Sequence, residues 1–354
     1  MIDWTKSMRQ TFVFRSVSRD TWKETGTIDG VTSCTITRDA GTSTLESATM
    51  SIDDSVPGEQ YVRVYMVCEQ DGDTHYECLG TFLSQSMDET LDGKTITRSV
   101  NCASVLQPLV DVLMPIGYFV GPDDDVADVC VSLMREHLHA PIHPVGTFDN
   151  VMEPFVAEAE ETVLDYVTSL LKKSGMHLMI DPFGAVSFEP DVDAAALGIS
   201  WEYDDGNSSI LLPSVQVGSD WFGMPNVVEV IVSKTSGNLY GCAENDSPNS
   251  ILSTCSRGRR VVRRETNPGL PDSASQEDAD DYALRKLREL SCLERAVRYS
   301  HGYNGVSIGS GVSLRYERHE FAVARAMVSE QRIVCDTGCS VEETSTYTDN
   351  LWSE

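Results

Sequence analysis

Three Asp-Gly pairs, Asp29-Gly30, Asp71-Gly72 and Asp92-Gly93, each lie between short runs in which apolar and polar side chains alternate. Asp-Gly supplies the left-handed backbone of a tight turn, and period-two alternation turns one face of a strand to a core. The first hundred residues are therefore expected to fold as antiparallel strands. Residues 11–15, 31–38 and 44–52 alternate, with Asp39-Ala40-Gly41 as a further turn. Tyr61–Val67 should pair with His75–Phe82, and Phe82–Ser86 with Thr95–Cys102. Short strands joined by tight turns suggest a small barrel or sandwich.

The alternation stops near Leu106-Gln107-Pro108, and helical spacing takes over. Val126, Val129, Cys130, Leu133, Met134 and Leu138 fall on one helix face, and Asp123-Asp124-Asp125 suit the positive end of its dipole. Val163, Leu164, Val167, Leu170 and Leu171 predict a second helix, with Gly175 as a left-handed cap. Asp181-Pro182-Phe183-Gly184 then reads as a type I turn between Met176–Ile180 and Ala185–Phe188. From Trp201 the pattern is again β, with strands at 214–217 and 226–232. Residues 236–254, rich in Gly, Asn, Ser and Pro, are predicted as a long exposed loop. A helix capped by Ser273 or Ser275 follows, then strands at 300–303, 311–316, 321–334 and 340–347. The expected class is α+β, mainly β: two small β-barrel-like domains at 1–106 and 200–354, with an α/β module inserted at 107–199.

At 354 residues the chain exceeds what one core usually fills, and disulfides are not needed to hold it. No apolar run approaches the ~18 residues of a membrane-spanning helix, and Met1–Lys6 lacks a signal pattern. A soluble protein assembled in a cytoplasm, with no membrane insertion, is expected. Most of the ten cysteines are scattered through apolar runs, as buried free thiols would be. Cys335 and Cys339 alone are close enough for a small disulfide or a pair of metal thiolates.

A net charge of −28 argues against binding nucleic acid through phosphate neutralisation. The charge is uneven: residues 255–335 hold 14 Lys and Arg against 11 Asp and Glu, so the rest of the chain carries −31. Arg257, Arg259, Arg260, Arg263 and Arg264 are read as alternating on and off one strand face. They could reach carboxylates of a neighbouring subunit, or pair within the chain on a solvated strand.

Motifs for catalysis are thin. Gly305-Val306-Ser307-Ile308-Gly309 matches the G-x-S-x-G pattern, but a second glycine-rich turn and a β-like run follow where a helix is required. His137, His139 and His143 lie on no single helix face, so they read as a helix end and loop. Glu158, Glu160 and Glu161 are accounted for by a helix start. No nucleotide-loop or H-E-x-x-H motif occurs. An enzyme is not expected, and no cofactor or metal is called for.

Read in order, several segments resemble the baseplate hub proteins of phage tails, also described as late-control or tail-associated proteins. They are Leu79-Gly80-Thr81-Phe82, the Arg98–Cys102 strand leading to Ser104-Val105-Leu106, Glu161-Thr162-Val163-Leu164-Asp165, the Asp181–Gly184 hairpin, and Pro225-Asn226-Val227-Val228-Glu229-Val230. The resemblance implies two related β-barrel tube domains that tile as a homotrimer into a pseudo-sixfold ring. Such a ring joins the tail tube to the central spike or tip, with DNA present only in transit through the lumen. An acidic lumen would let DNA slide without sticking. The implied location is the virion tail, in a phage or a prophage-derived particle. A β-rich host-surface adhesin, binding carbohydrate or receptor, is the other class to weigh; it would show exposed aromatics around a pocket. Trp201, Trp221 and Phe222 are its candidates, although their strand-like surroundings favour core. An added cell-wall-degrading domain is not expected, because the chain ends soon after its last strands.

Overall fold

A computed structural model describes residues 2–53, 58–93, 95–151, 154–207, 209–219, 221–234, 237–266, 268, 270–271 and 273–352. The fold is α+β and mainly β, with 48% of residues in strands and 15% in helices. It divides into two compact units, one of Met1–Val215 with Tyr299–Ser345, the other of Gln216–Arg298 with Thr346–Glu354.

The first unit opens with β1 (Arg9–Val17), β2 (Glu24–Ile28), β3 (Val31–Asp39), β4 (Glu46–Ile52), β5 (Tyr61–Gln70), β6 (Asp73–Asp92) and β7 (Thr95–Ser104). The predicted hairpin across Asp71-Gly72 forms, with Val67 opposite Tyr76, and both turn residues take positive φ. The two short strands expected at 75–86 are one 20-residue strand, β6, which pairs first with β5 and then with β7. Slips in register in both ladders, at Val64/Tyr65 and Ser84/Ser86, let this strand bend between its two partners.

The helical insert follows the sequence pattern. It contains α1 (Gln107–Val110), β8 (Phe119–Val120), α2 (Val126–His137), β9 (Phe155–Val156), α3 (Val163–Lys173), β10 (Met176–Ile180) and β11 (Val186–Pro190). Asp125 caps α2 by accepting the Asp128 N–H, and Thr162 caps α3 by accepting that of Asp165. A carboxylate at the start of α2 and a hydroxyl at the start of α3 thus answer orphan backbone donors. The β10–β11 turn closes with the Gly184 N–H on the Asp181 carbonyl at 2.8 Å. Its tip is wedged against the sheet: the Phe183 carbonyl accepts from Trp22 Nε1 at 2.8 Å and Arg63 Nη2 at 2.9 Å. Gly184 has φ +80°, and a Cβ there would lie 2.9 Å from Trp22, so this close approach needs glycine.

The remaining strands are β12 (Ile199–Asp204), β13 (Leu211–Ser219), β14 (Val227–Val232), β15 (Leu239–Glu244), β16 (Val262–Thr266), β17 (Cys292–Gly302), β18 (Gly311–Tyr316), β19 (Phe321–Val334) and β20 (Ser340–Asn350). Between them lie α4 (Thr254–Arg257) and α5 (Gln276–Leu290). In the first unit, β19 pairs antiparallel with β3, with Ile333 opposite Ile36. This ladder joins the N-terminal and C-terminal β regions, which pattern alone treats as separate. β18 adds to β19, and β12 pairs parallel with β18. One core serves both regions, containing Ile36, Met50, Val64, Met66, Leu79 and Phe82 together with Tyr303, Ile333 and Val341.

In the second unit, β14 is the central strand of a three-stranded sheet, antiparallel to β15 and parallel to β16. The long loop predicted over 236–254 is interrupted by β15 and meets α4 at its last residue, with 245–253 remaining loop; residue 236 lies outside the described residues. Gly241 belongs to the packing: a Cβ there would sit 2.3 Å from the Ala279 carbonyl oxygen of α5. Ser275, one of the two expected caps, starts α5 with a capping box closed by Asp278. Val228, Val230, Val232 and Ala243 bury one face of the sheet against Ala283 and Leu287.

Candidate assembly surface

The arginine-rich segment is built by one buried asparagine. Asn226 is fully buried; its Nδ2 donates to the Arg259 carbonyl at 2.9 Å and its Oδ1 accepts the Val261 N–H at 2.7 Å. The turn after α4 is thereby clamped to the start of β14. Ser253 caps α4, and Gly258 ends it at φ 62°. The five arginines do not alternate along one strand. Arg257 closes α4, Arg259 and Arg260 lie in the clamped turn, and only Arg263 and Arg264 stand on β16. Alternation fails because the αL residue Gly258 reverses the chain between the first arginine and the others.

Most of these guanidinium groups are engaged within their own unit. Arg257 donates to the carbonyls of Met224 at 2.6 Å and Trp221 at 3.4 Å. Arg260 pairs with Glu244 at 3.4 Å and Arg263 with Glu265 at 3.1 Å. Arg264 places Nε and Nη2 on one Glu229 oxygen, at 3.1 and 2.7 Å. That hydrogen bond lowers the Glu229 carboxyl from its ordinary value and raises Arg264. Arg259 is exposed, and among the described residues its guanidinium makes no ion pair or side-chain hydrogen bond.

The sheet face opposite α5 carries Glu229 with Arg264, and the half-exposed Tyr240 and Val262. Ion pairs at this exposure add little stability each. Trp221 is 39% and Phe222 94% exposed, contrary to the core placement expected for them. They sit in a turn at Phe222-Gly223, with Gly223 at φ 74°, rather than on a strand. Trp201 is half-buried beside Tyr203, their ring centroids 6.5 Å apart.

In the first unit, β6 and β7 extend as a two-stranded arm whose described residues from Gln85 to Thr97 are exposed, apart from Thr95, whose side chain is not described. The pairing sets Met87, Glu89 and Leu91 beside Val100, Arg98 and Ile96 on one face, with Glu89 and Arg98 bridged at 2.8 Å. A two-stranded ribbon is marginal in water, so this arm suits a partner that covers it.

A buried polar network, which the sequence did not signal, ties the β regions of the first unit together. Arg38 on β3 is 3.7 Å from Glu46 on β4 and donates to Gln331 Oε1 on β19 at 3.2 Å and to the Leu79 carbonyl. Gln331 Nε2 donates to Glu343 Oε2 on β20 at 2.7 Å, and Tyr299 OH donates to the other Glu343 oxygen. His301 Nε2 lies 3.4 Å from Glu343 and 3.1 Å from Tyr203 OH, which accepts from Asn304 Nδ2 at 2.9 Å. Glu46 is the imperfect member: its Oε1 has no hydrogen-bond partner among the described residues. Burial pushes its carboxyl up to about 7, outweighing Arg38, which is too distant for a hydrogen bond.

The catalytic alternatives do not assemble. Gly305 and Gly309 both have φ 79° in turns, and β18 rather than a helix follows Ser307. His137 ends α2, while His143 lies 3.1 Å from Asp181. Glu161 accepts the Glu158 N–H just before α3. Cys335 and Cys339 are both free and buried, with their thiols pushed up, Cys335 first by a hydrogen bond to Cys34 and Cys339 by burial. Among the described residues no group of three His, Cys, Asp or Glu could hold a metal ion. None of their helices is long and apolar enough to cross a membrane.

Solved structures give the fold a context. The 43 kDa tail protein of prophage MuSo2 from Shewanella oneidensis is similar at a TM-score of 0.65 and 14% identity, covering 96% of this chain and 100% of that one. A tail protein from Neisseria meningitidis is similar at a TM-score of 0.63 and 13% identity, over 97% of this chain and 98% of that one. The fold is that of a phage tail protein. A chain of the Francisella PdpA–VgrG complex is similar at a TM-score of 0.59 and 7% identity, over 96% of this chain and 53% of that one. No protein-family model matches the chain, and no curated protein matches its sequence.

Proposed function

We propose that the chain is a structural component of a phage or prophage-derived tail baseplate. In this reading three copies form a pseudo-sixfold hub ring that joins the tail tube to the central spike or tip and lets DNA pass. The observation that carries it is the end-to-end match, with 96% of this chain and all of a prophage tail protein superposing in one fold. Charge supports it: the first unit has 16 Lys and Arg against 41 Asp and Glu, the second 11 against 14. A ring whose lumen is lined by the acidic unit repels phosphates, while the near-neutral unit with its arginines is free to meet an acidic neighbour. The role is mechanical, with no catalytic step and no cofactor, and the partners are tube and spike proteins in the virion tail. Deleting the coding sequence from the parent phage should leave particles whose tubes lack a baseplate; complete, infectious tails would refute the reading.

The exposed Trp221 and Phe222 favour a second reading, in which this turn contacts a host-surface carbohydrate or receptor. Substituting both with Ser should then abolish adsorption of assembled particles while leaving their assembly intact.

A further inference from the structure

The buried carboxylate Glu46 lines a cavity of about 210 Å³ between the β10–β11 hairpin and the glycine turn at 305–310. That space is far larger than the ~30 Å³ share of one water. Glu46 is 7% exposed and its Oε1 has no partner among the described residues, so a hydrogen-bond acceptor is buried there without a donor from them. Asp181 and Glu189 also line the cavity, Asp181 accepting the Ala185 N–H and lying 3.1 Å from His143; among the described lining residues the one Lys or Arg is Arg38, already engaged by Gln331 and the Leu79 carbonyl. Leu45, Met179 and Ile308 supply apolar wall. A second cavity of about 290 Å³ shares Met179, Glu189, Ser307 and Ile308 with the first and extends the groove past Met327. An apolar channel with carboxylates at its end and mouth is the chemistry that takes a guanidinium on an alkyl stem.

We propose that this groove receives the Arg259 side chain of a second copy of this chain. Charge complementarity selects that occupant. The groove holds Glu46 and Glu189 beside Asp181, which His143 already faces, and one committed arginine; Arg259 is the member of the five-arginine segment whose guanidinium is exposed and unpaired among the described residues. Asn226 holds the Arg259 carbonyl, so the side chain is presented from a fixed backbone at little entropic cost. The inference rests on the ring reading and names its contact: the near-neutral unit of one copy keys into the acidic unit of the next.

The experiment is self-association of the full-length chain by analytical ultracentrifugation, in wild type, Arg259→Glu, Glu189→Arg, the double variant, and Glu46→Gln. Glu189 and Arg259 are both exposed, so their reversal leaves the fold intact, which circular dichroism verifies. Each single reversal is expected to weaken association at least about tenfold, and the double variant to recover most of it. Glu46→Gln, close in shape, is expected to weaken it without unfolding. Wild-type association that survives Glu189→Arg, or a double variant as weak as the singles, overturns the groove contact while leaving the ring standing. A wild-type chain that stays monomeric at every concentration overturns the contact together with self-assembly of the ring.

Discussion

Glu46→Gln isolates one buried charge and reads its cost through pH. The carboxyl titrates at about 7 in the folded chain against an ordinary 4.5, because burial penalises its ionised form more than Arg38 at 3.7 Å favours it. A raised carboxyl binds its proton more tightly when folded. Its contribution is therefore complete below pH 4.5 and lost as pH rises through 7. At ~1.36 kcal/mol per unit, the 2.5-unit difference amounts to about 3 kcal/mol, an order-of-magnitude figure. Urea unfolding of both chains at pH 4.5, 6 and 8, followed on the transition of the first unit, removes every other titrating group from the difference. Wild type should lose about 3 kcal/mol relative to Glu46→Gln between the acid and alkaline ends. Parallel stability curves would refute the burial argument. A slope of opposite sign would mean that the Arg38 pairing dominates instead.

Three further variants test the second unit. Asn226→Ala removes both hydrogen bonds that clamp the Arg259–Val261 turn and leaves the Val261 N–H without a partner; a loss of about 2–3 kcal/mol is expected in chemical denaturation. Gly241→Ala drives a methyl into the Ala279 carbonyl of α5 and should cost about 2 kcal/mol or more, seen as a lower Tm for this unit. Arg260→Glu with Arg263→Glu breaks two exposed pairs worth roughly 1 kcal/mol or less each, so the monomer should unfold nearly as before while ring assembly, read by sedimentation, fails.

What could be read from the sequence were the features encoded locally. The Asp71-Gly72 and Asp92-Gly93 hairpins, the β10–β11 turn and the caps of α2, α3 and α5 each depend on residues within a few positions of one another, and each is found in place. The β3–β19 ladder pairs residues nearly three hundred positions apart, and no local pattern announces it. The Arg38–Gln331–Glu343 network is hidden for the same reason, since each member alone is an ordinary polar residue on a strand. β15 was missed because Gly241, needed for close packing under α5, looks in sequence like loop composition. The arginine segment was legible in charge and not in shape: Gly258 and Asn226 convert an apparent strand into a helix end, a clamped turn and two strand residues.

The central claim is a three-copy ring. Native mass spectrometry of the purified chain, followed by electron-microscopy class averages, tests it most directly. The account expects a species of three 39.0 kDa chains with a central opening and a pseudo-sixfold outline. An exclusively monomeric chain, or a closed assembly of two or four copies, would contradict it.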